Sequence, residues 1–201
     1  MGVDGQGGEH CAPKLCGNVT ISFPFGLVQV DAQPNTTCGA EIGFQVHCGS
    51  DNTIPYLGYY QSEFGMRILN IFYHNRSLLI AKTTTDKGEN YFNTSSVPGV
   101  DCRIPAANTS SRLVAPFSIS PVNQNLIFYN CTKPLSPGEG LLETICRENT
   151  YVRVAGERSS DGDDSYSMEG CNASFVPVLG WSVRTEAINY EQLIREGFLV
   201  R

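Results

Sequence analysis

No stretch of 18 apolar residues occurs in this 201-residue chain, so the sequence holds no transmembrane helix. Its first ten residues, "MGVDGQGGEH", lack the apolar core of a secretory signal. Charged residues make up only 17%, and the 14 Lys and Arg are outnumbered by 20 Asp and Glu, for a formal net charge of -6. That balance argues against nucleic-acid binding, which draws on clustered cations. There are three histidines, His10, His47 and His74, and no GxSxG, HExxH or phosphate loop. No CxxC pair is present, and helical periodicity is almost absent. Membrane spanning, nucleic-acid recognition and the motif-bearing hydrolase classes are therefore disfavoured.

What the chain does have is sequons and cysteines. Asn-x-Ser/Thr triplets begin at Asn18, Asn35, Asn75, Asn93, Asn108, Asn130 and Asn172, where chance would supply roughly two. Eight cysteines, Cys11, Cys16, Cys38, Cys48, Cys102, Cys131, Cys146 and Cys171, read as a disulfide framework whose pairing the sequence leaves open. Both features belong to the secretory pathway, and a chain with neither signal nor anchor then reads as a mature fragment. His10 and His47 each precede a cysteine, but neighbours on a strand point to opposite faces, so disulfides are the expectation rather than zinc. The segment "DGDDSYSMEG" fails as a calcium loop, with Tyr166 and Asn172 where Gly and Glu are needed, and reads as a solvated acidic loop. No cofactor or metal is expected.

Period-two alternation predicts a mainly β protein: two small disulfide-stapled β-rich domains in tandem, 9–103 and 110–201, with one short C-terminal helix. In "CGNVTISFPFG" (16–26), Val19, Ile21 and Phe23 share a face, and Pro24 ends the strand or marks an edge. "GFQVHC" (43–48) sets Phe44, Val46 and Cys48 against Gln45 and His47, as a sheet neighbour of the first strand. "RILNIFYHNRSLLIAK" predicts a hairpin with Asn75 at its tip, and residues 83–96 a surface loop. Pro, Asn and Ser cluster without periodicity over 101–112, where the domain boundary is placed. Strands are expected at "PFSIS", "NLIFYNC", "YVRVA" and "ASFVPVLGWSV". "NYEQLIREGF" predicts a helix capped by Asn189 with Gln192, stopped at Gly197 and docked on a sheet through Tyr190, Leu193 and Ile194. "FLVR" then starts a further strand, as if the fragment were cut from something longer.

These motifs resemble a known family. "CGNVTISFPFG" is similar to the C-G-N-x-x-I-x-Y/F-P-F signature of the extracellular galacturonan-binding domain of plant wall-associated receptor kinases, most closely the leaf-rust-resistance-type members. "CGAEIGFQVHC" resembles the family's C-G-x-x-x-F-x-L-x-C segment with Val46 in place of Leu, and "ILNIFYHNRSLLIA" its V-x-x-I-x-Y-x-N-x-S-L-x-I hairpin. "PFSISPVNQNLIFYNCT" and "CNASFVPVL" followed by "NYEQLIREGFLV" resemble the opening and end of the C-terminal wall-associated-kinase module. The resemblance implies an ectodomain on the outer face of the plasma membrane, in the apoplast. A transmembrane helix and a cytoplasmic Ser/Thr kinase would lie elsewhere in the parent protein, so this fragment is expected not to be an enzyme.

The resemblance also implies that basic side chains meet uronate carboxylates; the candidates are Lys14, Arg67, Arg76, Lys82 and Lys87. The aromatic cluster Tyr56, Tyr59, Tyr60 and Phe64 stacks on sugar rings, grips a protein, or simply packs in a core. The preferred reading is a receptor ectodomain that recognises an apoplastic protein or peptide of pathogen origin in immunity, with a co-receptor as a further partner. A pectin-binding wall sensor is the alternative, and a secreted hydrolase or inhibitor the third. A hydrolase needs a paired acid and base, which no spacing here singles out.

Overall fold

The computed structural model describes residues 12–28, 42–49, 52–58, 66–82, 92–93, 104–105, 108–109, 113, 115–136, 140–155, 166–180 and 189–201. The described residues are mainly β, as the alternating patterns dictate, with disulfides and, among them, one α-helix.

The chain opens with a small antiparallel pair, β1 (Lys14–Cys16) and β2 (Val19–Ile21). Gly17 makes the turn between them at φ 57; a Cβ there would run into the Thr53 carbonyl oxygen, so the glycine of "CGN" is sterically required. β2 buries Val19 and Ile21 as its alternation predicts and ends before Pro24. Phe23 departs from expectation. Its face should be inward, yet it is 71% exposed, because the chain turns at Phe23–Pro24 and sends Phe25 into the core instead.

The principal sheet has six strands in the order β14-β7-β6-β5-β4-β3. They are β3 (Gly26–Val28), β4 (Gln45–Cys48), β5 (Pro55–Leu57), β6 (Met66–Phe72), β7 (Ser77–Lys82) and β14 (Phe198–Val200). Only the β3–β4 contact is parallel. Two expectations are corrected here. Ile42–Phe44 forms a 3-10 turn, so the strand begins at Gln45, and Gln45 and His47 are buried along with Val46. Nor is β4 a ladder neighbour of β2, which pairs with β1; the Cys16–Cys48 disulfide links the two layers covalently instead. The hairpin β6–β7 is as predicted, with a register shift between Ile68 and Asn70. The core side of this sheet carries Val46, Leu57, Met66, Ile68, Ile80 and Phe198.

A second, antiparallel sheet runs in the order β11-β12-β10-β13. Its strands are β10 (Asn123–Cys131), β11 (Leu142–Glu143), β12 (Thr150–Ala155) and β13 (Cys171–Leu179). A short pair, β8 (Phe92–Asn93) with β9 (Ile104–Pro105), falls partly inside the expected 83–96 loop; the rest of that loop lies outside the described residues, as does 156–165 of the acidic loop. β10 is buried on both faces. Leu126 and Phe128 join Val152, Val176 and Val178 beneath helix α1 (Tyr190–Glu196), while Ile127 and Tyr129 pack with Tyr151 and Ala155 behind. There the Arg153 guanidinium lies 5.9 Å from the Tyr129 ring centre and 5.0 Å from that of Tyr166, and burial pushes the Tyr129 phenol up from its ordinary pKa despite that cation. Cys131–Cys171 staples β10 to β13. α1 docks through Tyr190, Leu193 and Ile194 as predicted and stops at Gly197 with φ 81, but Asn189 makes no side-chain cap.

The expected strand "PFSIS" is reduced to a bridge. Ile119 pairs with Val200, and Ser118 and Arg201 exchange backbone hydrogen bonds of 2.8 and 2.9 Å. β14 itself leaves the second sheet and adds to the edge of the first, Phe198 opposite Ile80 and Val200 opposite Leu78. Asn123 secures it: its side chain donates to the Leu199 carbonyl at 2.7 Å and accepts from the Leu199 N–H at 2.9 Å.

Three outcomes follow from this packing. Cys16→Ser with Cys48→Ser opens a loop of sequence separation 32 and is expected to cost about 3–4 kcal/mol, read from the urea midpoint. Asn123→Ala leaves the Leu199 N–H without its acceptor and the Leu199 carbonyl with the Ser120 N–H at 3.0 Å, and is expected to cost about 1–3 kcal/mol, with faster amide exchange confined first to residues 198–200. Burial, then the charge of Glu191 and its hydrogen bond, raise the Tyr190 phenol to about 12. The native state thus holds the Tyr190 proton more tightly than the unfolded chain. That contribution is complete below pH 10, falls as pH climbs through 10 to 12, and amounts to roughly 2–3 kcal/mol. Tyr190→Phe should flatten the alkaline limb of a stability titration; an unchanged limb would refute the assignment.

Candidate functional site

Five segments converge at one end of the principal sheet. The turn after β2 contributes Phe23, Pro24 and Phe25; the 3-10 turn brings Phe44; the β6–β7 hairpin brings Tyr73 and Arg76; the segment before β10 brings Pro116 and Phe117; Arg201 follows β14. Together they line a groove of about 540 Å³.

Ring packing sets its shape. Phe25 and Phe117 stack with centres 6.1 Å apart and planes 6° from parallel. Phe44 meets both edge-on at 5.5 Å, and Tyr73 meets Phe25 edge-on at 6.4 Å. Gly43 lets this happen, since a Cβ there would strike the Ala115 carbonyl and the Pro116 ring, and the close approach lays Phe117 against Phe44. Tyr73 ties the hairpin to β2: its hydroxyl donates to the Thr20 carbonyl at 2.8 Å and accepts from the Ser22 N–H at 2.8 Å. With that hydroxyl engaged and the Ser77 hydroxyl donating to Asn75 Oδ1 at 2.6 Å, the walls are mostly carbon.

Two cations break the apolar lining. Arg76 and Arg201 are both exposed, and among the described residues neither forms an ion pair. Arg76 sits at φ 55, a left-handed turn position that favours Gly or Asn over a long side chain.

Of the candidates read from the sequence, Arg76 alone lies in this groove. Lys14 is exposed on β1. Arg67, exposed on β6, stands opposite half-buried Tyr56 on β5, so one cation and one aromatic do meet across a ladder. Lys82, expected to meet uronate carboxylates, is instead buried: opposite Met66 at the end of β7 it is only 6% exposed. Tyr59, Tyr60, Phe64 and Lys87 lie outside the described residues.

Among the sequons, Asn18, Asn75, Asn130 and Asn172 are exposed, with Asn130 and Asn172 directly opposite across β10 and β13. Asn108 is part-buried and accepts the Phe175 N–H at 2.9 Å. Asn93 lies on β8, and Asn35 outside the described residues. Cys146 is disulfide-bonded as well, while Cys11, Cys38 and Cys102 lie outside the described residues.

Sequence reasoning missed Phe25, Phe44, Tyr73, Phe117 and Arg201 as a group. The aromatic-proline-aromatic step at 23–25 was visible as a signal. Its partners come from sites up to 176 positions further along the chain, which no local pattern connects.

No curated protein and no solved structure matches the chain. The family described as wall-associated receptor kinase galacturonan-binding matches residues 11–82, which span β1 to the end of β7 and hold Lys14, Arg67 and Arg76. The similarity to that family thus covers 72 of the 201 residues.

Proposed function

We propose that this chain is the extracellular ligand-recognition portion of a wall-associated receptor kinase, and that its 11–82 domain binds pectin fragments through uronate carboxylates. The family match over those residues carries the reading. Exposed Lys14, Arg67 and Arg76 on the same domain support it, because guanidinium and ammonium groups pair with carboxylates, and the Tyr56 ring beside Arg67 offers a face for a sugar. With net charge -6 the chain repels polyanions overall, so recognition is local and depends on where the cations stand.

A second reading, recognition of an apoplastic protein or peptide in immunity with a co-receptor, is favoured by Leu15 and Phe23. These two large side chains, one on β1 and one in the turn after β2, are 70% and 71% exposed. In either case the chain's role is recognition, with the kinase on the cytoplasmic side of the parent protein and exposed Asn18, Asn75, Asn130 and Asn172 as glycan acceptors.

Titration of the glycosylated, oxidised chain with de-esterified oligogalacturonides at about 10 and 150 mM salt tests the proposal. Saturable binding is expected that weakens with salt and drops roughly tenfold in Lys14→Glu or Arg67→Glu, while neutral oligosaccharides do not bind. No binding at either salt would remove pectin and leave the protein-ligand reading.

A further inference from the structure

The aromatic groove has a chemistry that a galacturonan chain does not match. Each uronate residue carries hydroxyls that need partners once desolvated. Here the Tyr73 and Ser77 hydroxyls are already committed, and what remains is ring faces, two prolines and two guanidiniums. An extended polyanion buried in it would leave most of its polar groups unpaired. A flat apolar body with one acidic end would not.

We propose that this groove binds a small aromatic carboxylate of the phenylpropenoic acid type, its ring packed among Phe23, Phe25 and Phe117 and its carboxylate paired with Arg76 and Arg201. Four observations converge on that chemistry. The volume, about 540 Å³, lies within the range of small-molecule sites. The aromatic walls are mutually braced at 5.5 to 6.4 Å and so are formed before a ligand arrives. Phe23 is held outward at 71% exposure, at the margin of the groove rather than in the core. Finally, Arg76 occupies a left-handed turn position where glycine would be less strained, so the backbone bears a cost to keep a guanidinium there. A single carboxylate complements the two cations without the burden of further charges.

The groove also draws on both halves of the chain. Phe117 and Arg201 lie outside the 11–82 domain, so the ligand sits where β14 and the 115–118 segment meet that domain. Arg76 is common to this groove and to the cations cited for pectin, whereas Lys14 and Arg67 lie outside the groove and Phe23 and Arg201 outside the pectin reading, so variants of the two sets report on the two proposals separately.

The test is calorimetric titration and saturation-transfer NMR of the full glycosylated chain with 4-hydroxycinnamate, its neutral amide, trigalacturonate, and the peptide acetyl-Asp-Phe-Asp-amide. The carboxylate is expected to bind with Kd about 0.1–1 mM and the amide roughly tenfold more weakly. Arg76→Gln and Arg201→Gln should each weaken the carboxylate about 5- to 10-fold, and Phe23→Ser about 3- to 5-fold. All three replace exposed side chains, so Tm should hold, which separates lost binding from lost fold. Absence of saturable 4-hydroxycinnamate binding, or binding indifferent to these three variants, overturns the proposal. Trigalacturonate displacing the acid from the groove would reassign it to sugar, and binding of the peptide in place of the acid would reassign it to a protein partner; either result overturns it as well.

Discussion

Asn123 holds Leu199 by both of its backbone groups, and through that pair of hydrogen bonds the end of the chain is bound to the start of the second sheet. A carboxamide carries a donor and an acceptor side by side in one plane, as a peptide group does, so it extends the backbone pairing that residues 118–119 make with 200–201. On its other edge the same strand pairs with β7 of the first sheet. Three residues thus join the two sheets, alongside the packing of α1 against β7, and Phe198 and Val200 enter a core built from residues more than a hundred positions earlier. The position of Arg201, and of the 118–119 segment that pairs with 200–201, is a consequence of this clamp.

That dependence makes the aromatic groove a product of long-range order. Phe25, Phe44 and Tyr73 come from the domain at residues 11–82, where the Cys16–Cys48 bond and the Tyr73 hydroxyl fix β2 over the sheet. Phe117 reaches them only because Gly43 leaves room for the Ala115–Pro116 backbone. A free energy of binding at such a site would be felt by both halves of the chain. Ligand contacts that bridge two packed units stabilise their relative arrangement by whatever affinity depends on that arrangement. Occupancy of the groove would thereby change how strongly the two halves are held together.

The parts of this architecture that could be read from the sequence are those governed by local rules. The β6–β7 hairpin follows from apolar runs on either side of His74-Asn75-Arg76, and α1 from the spacing of Tyr190, Leu193 and Ile194 with Gly197 after them. β10 is legible as an apolar run, but its burial on both faces needs the helix on one side and the Tyr129, Tyr151 and Arg153 packing on the other. Alternation misplaced Phe23 because a proline turn outranks period-two inheritance, and it misplaced Gln45 and His47 because both faces of β4 are covered. Lys82 looked like any cation at a strand end; only the register opposite Met66 shows that it enters the protein. Arg76 was singled out for its charge, whereas its left-handed backbone and aromatic surroundings are what distinguish it from Lys14 and Arg67.

The two proposals assign the chain two kinds of recognition surface, exposed cations within residues 11–82 and a groove that also takes Phe117 and Arg201. Cations standing apart in water, as Lys14 and Arg67 do, attract a flexible polyanion through screened forces and give affinity that varies with salt and with the number of charges met. Cations set at the rim of an apolar groove act where water is partly excluded, and there one charge pair with packed rings suffices to choose a ligand by shape. The first arrangement suits a wall polymer whose length and esterification vary. The second suits a compact molecule of fixed outline. Under the two proposals together, one surface would take an extended polymer and the other a compact ligand, and the strand clamped by Asn123 joins the second surface to the rest of the chain.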